Sequence, residues 1–308
     1  MAEMQDLYPT RKGTEPDIRD RQDPVIYSRW SEDAPLTQEE YRSYEDKGFL
    51  FLPGLFKADE LQILLDESKR LRTSKDALED ETLITEPNSG DVRSIFALHR
   101  QSAIMYRLAS DERLAGLARF LLGDDVYIHQ SRLNFKPGFR GKEFYWHSDF
   151  ETWHAEDGMP RMRALSMSLL LTDNEPHNGP LMLMPGSHKR FVGTVGETPE
   201  DNYKSSLKVQ ETGTPDDESL TRLYDDFGLE TPTGPAGSLL IFDCNTMHGS
   251  ASNISPMARS NAFFVFNAVS NKLVAPFSAG TPRPEFVGAR KHVDTVEVIE
   301  RNAKPLAA

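Results

Sequence analysis

The run ALSMSLLLT, residues 164–172, decides how the chain is read. Ser166 and Ser168 alternate with Leu165, Met167 and Leu169, the period of two expected of a strand with one apolar and one polar face. A strand lining a polar pocket gives that alternation, and so does one with a solvent-exposed face. Working outward, Val126–Phe135, Leu181–Met184, Ser238–Phe242 and Arg259–Val269 carry similar strand-like composition, and Gly and Pro clusters separate them. Upstream of Gly123 the pattern is helical. Thr37–Glu40 (TQEE) forms a capping box that opens a helix stopping near Gly48. Leu61, Leu64, Leu65 and Leu71 recur at helical spacing, and a further helical stretch spans about 103–122. Phe49–Phe56 (FLFLPGLF) reads as a strand broken by Pro53 and Gly54. Helices first and short strands after predict helices packed on a β-sandwich or jelly roll.

The 308 residues suffice for one large domain. Residues 1–35, rich in Pro and charge, read as an extended N-terminal arm, 36–295 as the single domain, and 296–308 as a tail. The polar stretch within 191–237 is too long for a plain turn and predicts a partly helical lid or insertion. Apolar content of 38% and charged content of 27% are those of a soluble globular protein. No window approaches the roughly 18 apolar residues that a membrane helix needs. The polar N-terminus lacks the apolar core of a secretory signal, so a cytoplasmic location is expected. Cys244 is the one cysteine, which excludes an internal disulfide framework and a cysteine metal cage. The net charge of −13 disfavours nucleic acid as a partner.

Metal chemistry is suggested by FYWHSDF, where His147 and Asp149 stand two residues apart. On a strand, such residues project to one face and can serve one ion. His248, just past an apolar strand in SLLIFDCNTMHGS, is the candidate third ligand. Two imidazoles and one carboxylate on one face of an octahedron leave three positions open, the arrangement of non-haem Fe(II) oxygenases. Structural zinc sites, by contrast, are closed and tetrahedral. Arg259, at the start of the next strand, could clamp the far carboxylate of a 2-oxo acid through two parallel hydrogen bonds. The other histidines fit structural roles better. His154 is expected at the surface or behind the ligands, and His188 within the PGSH turn. Gln130, Arg132, Asn134 and Lys136 share strand parity, as do Arg259, Asn261 and Phe263.

FYWHSDFETWHAEDGMP, Phe144–Pro160, closely resembles the signature of the ectoine hydroxylases, in the phytanoyl-CoA dioxygenase-like branch of the 2-oxoglutarate oxygenases. DPVIYSRW, DVRSIF, VYIHQSRLNFKPGFRGKEF, GPLMLMPGSH, VGETPEDNYK, NTMHGSASNISP and LVAPFSAGTPRPE resemble the same family, so the likeness runs from about Leu7 to about Arg290. The resemblance implies a mainly β fold with flanking helices around a double-stranded β-helix, a cupin-like jelly roll, and a homodimer. It implies Fe(II), 2-oxoglutarate and O2, and conversion of ectoine to 5-hydroxyectoine with release of succinate and CO2. The expected iron ligands are His147, Asp149 and His248. Lys136, Arg259, Asn134, Ser166, Phe144 and Ser250 are expected at 2-oxoglutarate. Gln130, Trp153, Thr152, Phe242, Asn261 and Phe263 are expected at ectoine, where the aromatic rings could face the delocalised amidinium. The rival readings are an oxygenase of another small zwitterion, such as proline, and a metal-binding β-sandwich without redox chemistry.

Overall fold

The computed structural model describes residues 5–73, 80–85, 90–208, 211–300 and 306. Its N-terminal helices form as the sequence dictates. Helix α1 (Gln38–Lys47) starts at Thr37, whose hydroxyl accepts from the Glu40 amide while the Glu40 carboxylate accepts from the Thr37 amide. It ends at Gly48 in the left-handed conformation, φ 78°. Strand β2 (Phe49–Leu52) follows, and α2 (Ala58–Thr73) buries Leu64 and Leu71. The stretch expected as one helix over 103–122 is interrupted. Between α4 (Ala103–Ser110) and α5 (Leu117–Leu122) the chain makes a π-helical turn, Glu112–Gly116, capped by the Asp111 side chain. A short helix, α3 (Leu98–Gln101), precedes them.

The strands build a jelly roll from two facing sheets. The larger has seven strands in the order β2-β10-β7-β12-β5-β4-β3, from β3 (Leu83–Thr85), β4 (Val92–Phe96), β5 (Val126–Lys136), β7 (Ala164–Leu170), β10 (Leu239–Asp243) and β12 (Arg259–Ala268) with β2. The smaller is β6 (Phe144–His147), β11 (His248–Ser250) and β8 (Leu181–Leu183), in the order β6-β11-β8. Alternation sorts the larger sheet's side chains. Leu133, Met167, Leu169, Ile241 and Phe264 join one apolar core with Leu64, Met105, Leu108 and Leu121 of the helices. Each such burial is worth about 1.5–3 kcal/mol. The residues between them face the smaller sheet, and register aligns them in rows. Phe242 pairs with Ser166, Ser166 with Val265 and Val265 with Gln130. In the next rows Phe263 pairs with Arg132, Asn261 with Asn134 and Arg259 with Lys136.

The N-terminal arm does not stand apart. Its strand β1 (Asp17–Asp20) pairs antiparallel with β9 (Arg190–Gly193), and Tyr8 is fully buried. The insertion over 191–237 is partly helical, with α7 (Tyr203–Ser206) and α8 (Asp217–Phe227). Leu220 and Leu223 of α8 pack with Met184, Val192 and Met247, directly beside His248. Of the expected tail, Val296 and Leu306 are buried in the main core.

Candidate metal centre and substrate pocket

Strand pairing brings the two imidazoles together. His147 at the end of β6 lies directly opposite His248 at the start of β11, with ring centroids 4.2 Å apart. Asp149 does not share the strand of His147, as the spacing predicted. Ser148 ends the strand and caps a helical turn, α6 (Asp149–Thr152), its hydroxyl accepting from the Glu151 amide. The carboxylate therefore approaches from a helix N-terminus, where an anion is favoured. Its Oδ1 stands 3.7 Å from His147 Nε2 and 4.0 Å from His248 Nε2.

Each histidine is fixed in the same way. Nδ1 lies 2.8 Å from the Tyr145 carbonyl in His147 and 2.9 Å from the Thr246 carbonyl in His248. The hydrogen bond assigns the proton to Nδ1 and leaves the Nε2 lone pair facing Asp149. Burial and the neighbouring His147 push the His248 pKa down to about 4, so its imidazole is neutral. Burial alone would raise the Asp149 pKa, but His248, His147 and Arg132 outweigh it and hold the group well below the usual carboxylate range. One ligand atom from each of the three residues lies within 4.8 Å of the others. Two imidazoles and one carboxylate, each oriented by its own hydrogen bond, fit a divalent iron.

A pocket opens from this triad between the two sheets. His147, His248, Phe144, Asn134, Lys136, Ser250, Arg259 and Phe263 all line it. At its far end Arg259 is buried, and its Nε and Nη1 have no hydrogen-bond partner. Burial lowers its pKa to about 10, which leaves it a cation at neutral pH. Lys136 donates from Nζ to Ser250 Oγ at 2.8 Å and to the Ala251 carbonyl at 2.6 Å. Gly179, φ 72°, lets the chain pass over this lysine, since a Cβ there would come within 2.8 Å of its Cδ. Phe144 stands edge-on to His147 at 4.9 Å.

The remaining expected residues surround the pocket at one remove. Ser166, expected at the cosubstrate, donates to Asp149 Oδ2 at 3.0 Å, its row facing the triad. Phe242 packs on His248 with centroids 4.9 Å apart. Asn261 donates to Ser168 Oγ and keeps a buried, unpartnered Oδ1. Gln130 donates to the Val287 carbonyl at 2.7 Å and accepts from Arg132 Nη1 at 3.0 Å. Thr152 and Trp153 sit behind Asp149 and are not among the described residues lining this pocket. The Trp153 ring stands edge-on to His129 at 5.2 Å. His154 is fully buried rather than superficial, stacked on Phe277 at 3.9 Å and bonded to the Met159 carbonyl. Cys244 is buried and its thiol pKa is pushed far up by burial.

Two pocket arginines had no assigned role from sequence. Arg132 lies with its guanidinium 5.0 Å over the Phe263 ring, and its Nε is buried without a partner. Its parity with Gln130 and Lys136 was the available signal. Arg93 also lines the pocket, 5.8 Å over the Phe144 ring, on a strand that composition did not reveal.

Comparison with known proteins agrees with this geometry. Residues 44–261 match the phytanoyl-CoA dioxygenase (PhyH) family. The chain is 56% identical over 287 residues to the ectoine dioxygenase of Sphingopyxis alaskensis, covering 93% of this chain and 94% of that protein. It is 55% identical over 293 residues to the ectoine dioxygenase of Stutzerimonas stutzeri, covering 95% and 97%. The crystal structure of EctD from S. alaskensis with 2-oxoglutarate and 5-hydroxyectoine aligns with a TM-score of 0.90 at 50% identity, covering 98% of this chain and 100% of that one. The structure of EctD from S. alaskensis with bound Fe aligns at 0.89. A family match across most of the chain and relatives above half identity lead to one conclusion: the chain belongs to the phytanoyl-CoA dioxygenase family.

Proposed function

We propose that this protein hydroxylates ectoine to 5-hydroxyectoine, consuming 2-oxoglutarate and O2 and releasing succinate and CO2. The observation that carries the reading is the buried, unpartnered guanidinium of Arg259 at the far end of a pocket that begins at the His147–Asp149–His248 triad. A buried cation without a partner is costly. A dicarboxylate such as 2-oxoglutarate, seated between the triad and Arg259, satisfies it through charge-assisted hydrogen bonds.

His147, Asp149 and His248 would hold the iron, with Ser166 orienting the carboxylate. Bound iron supplies the activation of O2 that couples cosubstrate decarboxylation to oxygen insertion at a C–H bond. Lys136, Asn134, Ser166, Phe144, Ser250 and Arg259 form the cosubstrate end. Gln130, Thr152, Trp153, Phe242, Asn261 and Phe263 are assigned to the ectoine end, where Phe263 and Arg132 line the pocket and the others stand around it. A guanidinium held over Phe263 with a free Nε is placed to pair with the ectoine carboxylate. The surrounding rings suit the delocalised amidinium. The side chains thus bind and orient both molecules and keep water from the reacting carbon.

The 36–295 segment acts in this reading as one catalytic domain, with the 191–237 insertion as its cover. The acidic surface, net charge −13, supports a cytoplasmic enzyme without nucleic-acid or membrane partners. The family resemblance supports a homodimer, which sedimentation would measure. The deciding assay combines the protein aerobically with Fe(II), 2-oxoglutarate and ectoine, with products identified by NMR. Equal amounts of succinate and 5-hydroxyectoine are expected. Succinate release that responds to proline and ignores ectoine would overturn the substrate assignment.

A further inference from the structure

Behind the metal centre lies a second buried network. The turn that begins with Asp149 in α6 continues as a π-helical turn, Trp153–Asp157, and among its buried carboxylates are Glu151 and Glu156. Neither faces the pocket. Arg11, from the N-terminal arm, reaches both. Its Nε and Nη2 donate to the two Glu151 oxygens at 2.9 and 2.7 Å, and its Nη1 donates to Glu156 Oε1 at 2.7 Å. Thr10 and Thr194 hydroxyls donate to Glu151 Oε1, and Asn202 Nδ2 donates to Glu156 Oε1. The Arg11 side chain is fully buried.

Two further facts mark the contact as built. Arg11 holds a left-handed backbone, φ 55°, a conformation that favours glycine. A non-glycine residue persists there when its surroundings over-determine it. Gly213, φ 77°, closes on the same ion pair, and a Cβ there would lie 2.4 Å from Arg11 Nη2. The arm and two stretches of the insertion, 194–202 and Gly213, thus enclose one turn. That turn has Asp149 at its start, and Thr152 and Trp153 between the two carboxylates.

We propose that Arg11 is a positioning residue for the iron and ectoine sites, holding from the arm, through Glu151 and Glu156, the turn that presents Asp149 and Trp153. The proposal rests on the reading of His147, Asp149 and His248 as the iron site. Removing the guanidinium leaves two buried carboxylates uncompensated beneath that turn, and the turn moves to rehydrate them. Partners that orient a metal ligand at one remove typically control affinity by 10–100-fold. Asn134, Lys136 and Arg259 of the cosubstrate end stand on β5 and β12, outside this turn.

The full-length Arg11→Met variant tests the proposal. Metal affinity is read by anaerobic titration calorimetry with Fe(II) alone, and folding by circular dichroism. About tenfold weaker Fe(II) binding is expected, with a similar rise in ectoine KM and a 2-oxoglutarate KM, at saturating metal, within twofold of the parent. A folded variant with parental Fe(II) affinity and ectoine KM overturns the proposal, as does an equal rise in both KM values. If Arg11→Met does not fold, Arg11→Lys decides. Its ammonium lacks the planar fork that grips both Glu151 oxygens while bonding Glu156, so several-fold weaker Fe(II) binding supports the proposal and unchanged binding overturns it. Fe(II) titration needs no substrate, so failure to hydroxylate ectoine would sink the assigned reaction and leave this comparison intact.

Discussion

The two faces of the seven-stranded sheet are made by alternate residues of the same strands, and they obey opposite rules. On the helix side, Leu133, Met167, Ile241 and Phe264 pack into a single apolar core. On the pocket side, Arg132, Arg259 and Asn261 keep buried polar atoms without partners. Phe263 and Phe264 are neighbours in sequence, yet one lines the pocket and the other joins the core. A folded chain leaves buried polar groups unsatisfied at a cost, so the side where they collect is the side shaped for ligands.

Substitutions across this divide should break stability on one face and chemistry on the other. Asp149→Ala should abolish turnover, together with the visible band of anaerobic Fe(II) and 2-oxoglutarate, while circular dichroism stays that of the parent. Full activity would dismiss the triad. Phe264→Ala should cost about 3–5 kcal/mol in denaturant unfolding. Phe263→Ala should cost less and appear mainly as a raised ectoine KM. Equal stability losses with unchanged KM would erase the contrast. Arg259→Ala should raise the 2-oxoglutarate KM, since each lost charge-assisted hydrogen bond costs about 1.5–3 kcal/mol. Its melting temperature should hold or rise because an unpartnered buried cation is gone, and an unaltered KM would remove it from the site. Ser166→Ala removes one hydrogen bond to Asp149 and should weaken Fe(II) binding roughly tenfold in calorimetry. Unchanged affinity would show that the turn alone orients the carboxylate.

Much of this was legible from local rules. The Thr37–Glu40 capping box and Gly48 bounded α1, and the Ser/Leu alternation placed Ser166 and Ser168 on one face of β7. Parity also put Gln130, Arg132, Asn134 and Lys136 together, although it could not tell a pocket from a solvent-exposed face. What escaped depends on groups that meet only in three dimensions. Spacing placed His147 and Asp149 on one strand, but Ser148 is as good a helix cap as a strand residue, and the cap prevailed. The arm's composition predicts an extended segment, since nothing near Arg11 announces carboxylates that follow about 140 positions later. Arg132 gained a role only when Phe263 and Phe96 were found beneath its guanidinium.

The pairing of His147 with His248 across β6 and β11 has a consequence for assembly of the centre. Side chains on a strand alternate in direction, so a slip of one position between these two strands would turn one imidazole away from the other. A chain misaligned there would not bring the two imidazoles and Asp149 within reach of one ion. With iron assigned to this pair, its capture would favour molecules whose small sheet has closed in the correct frame.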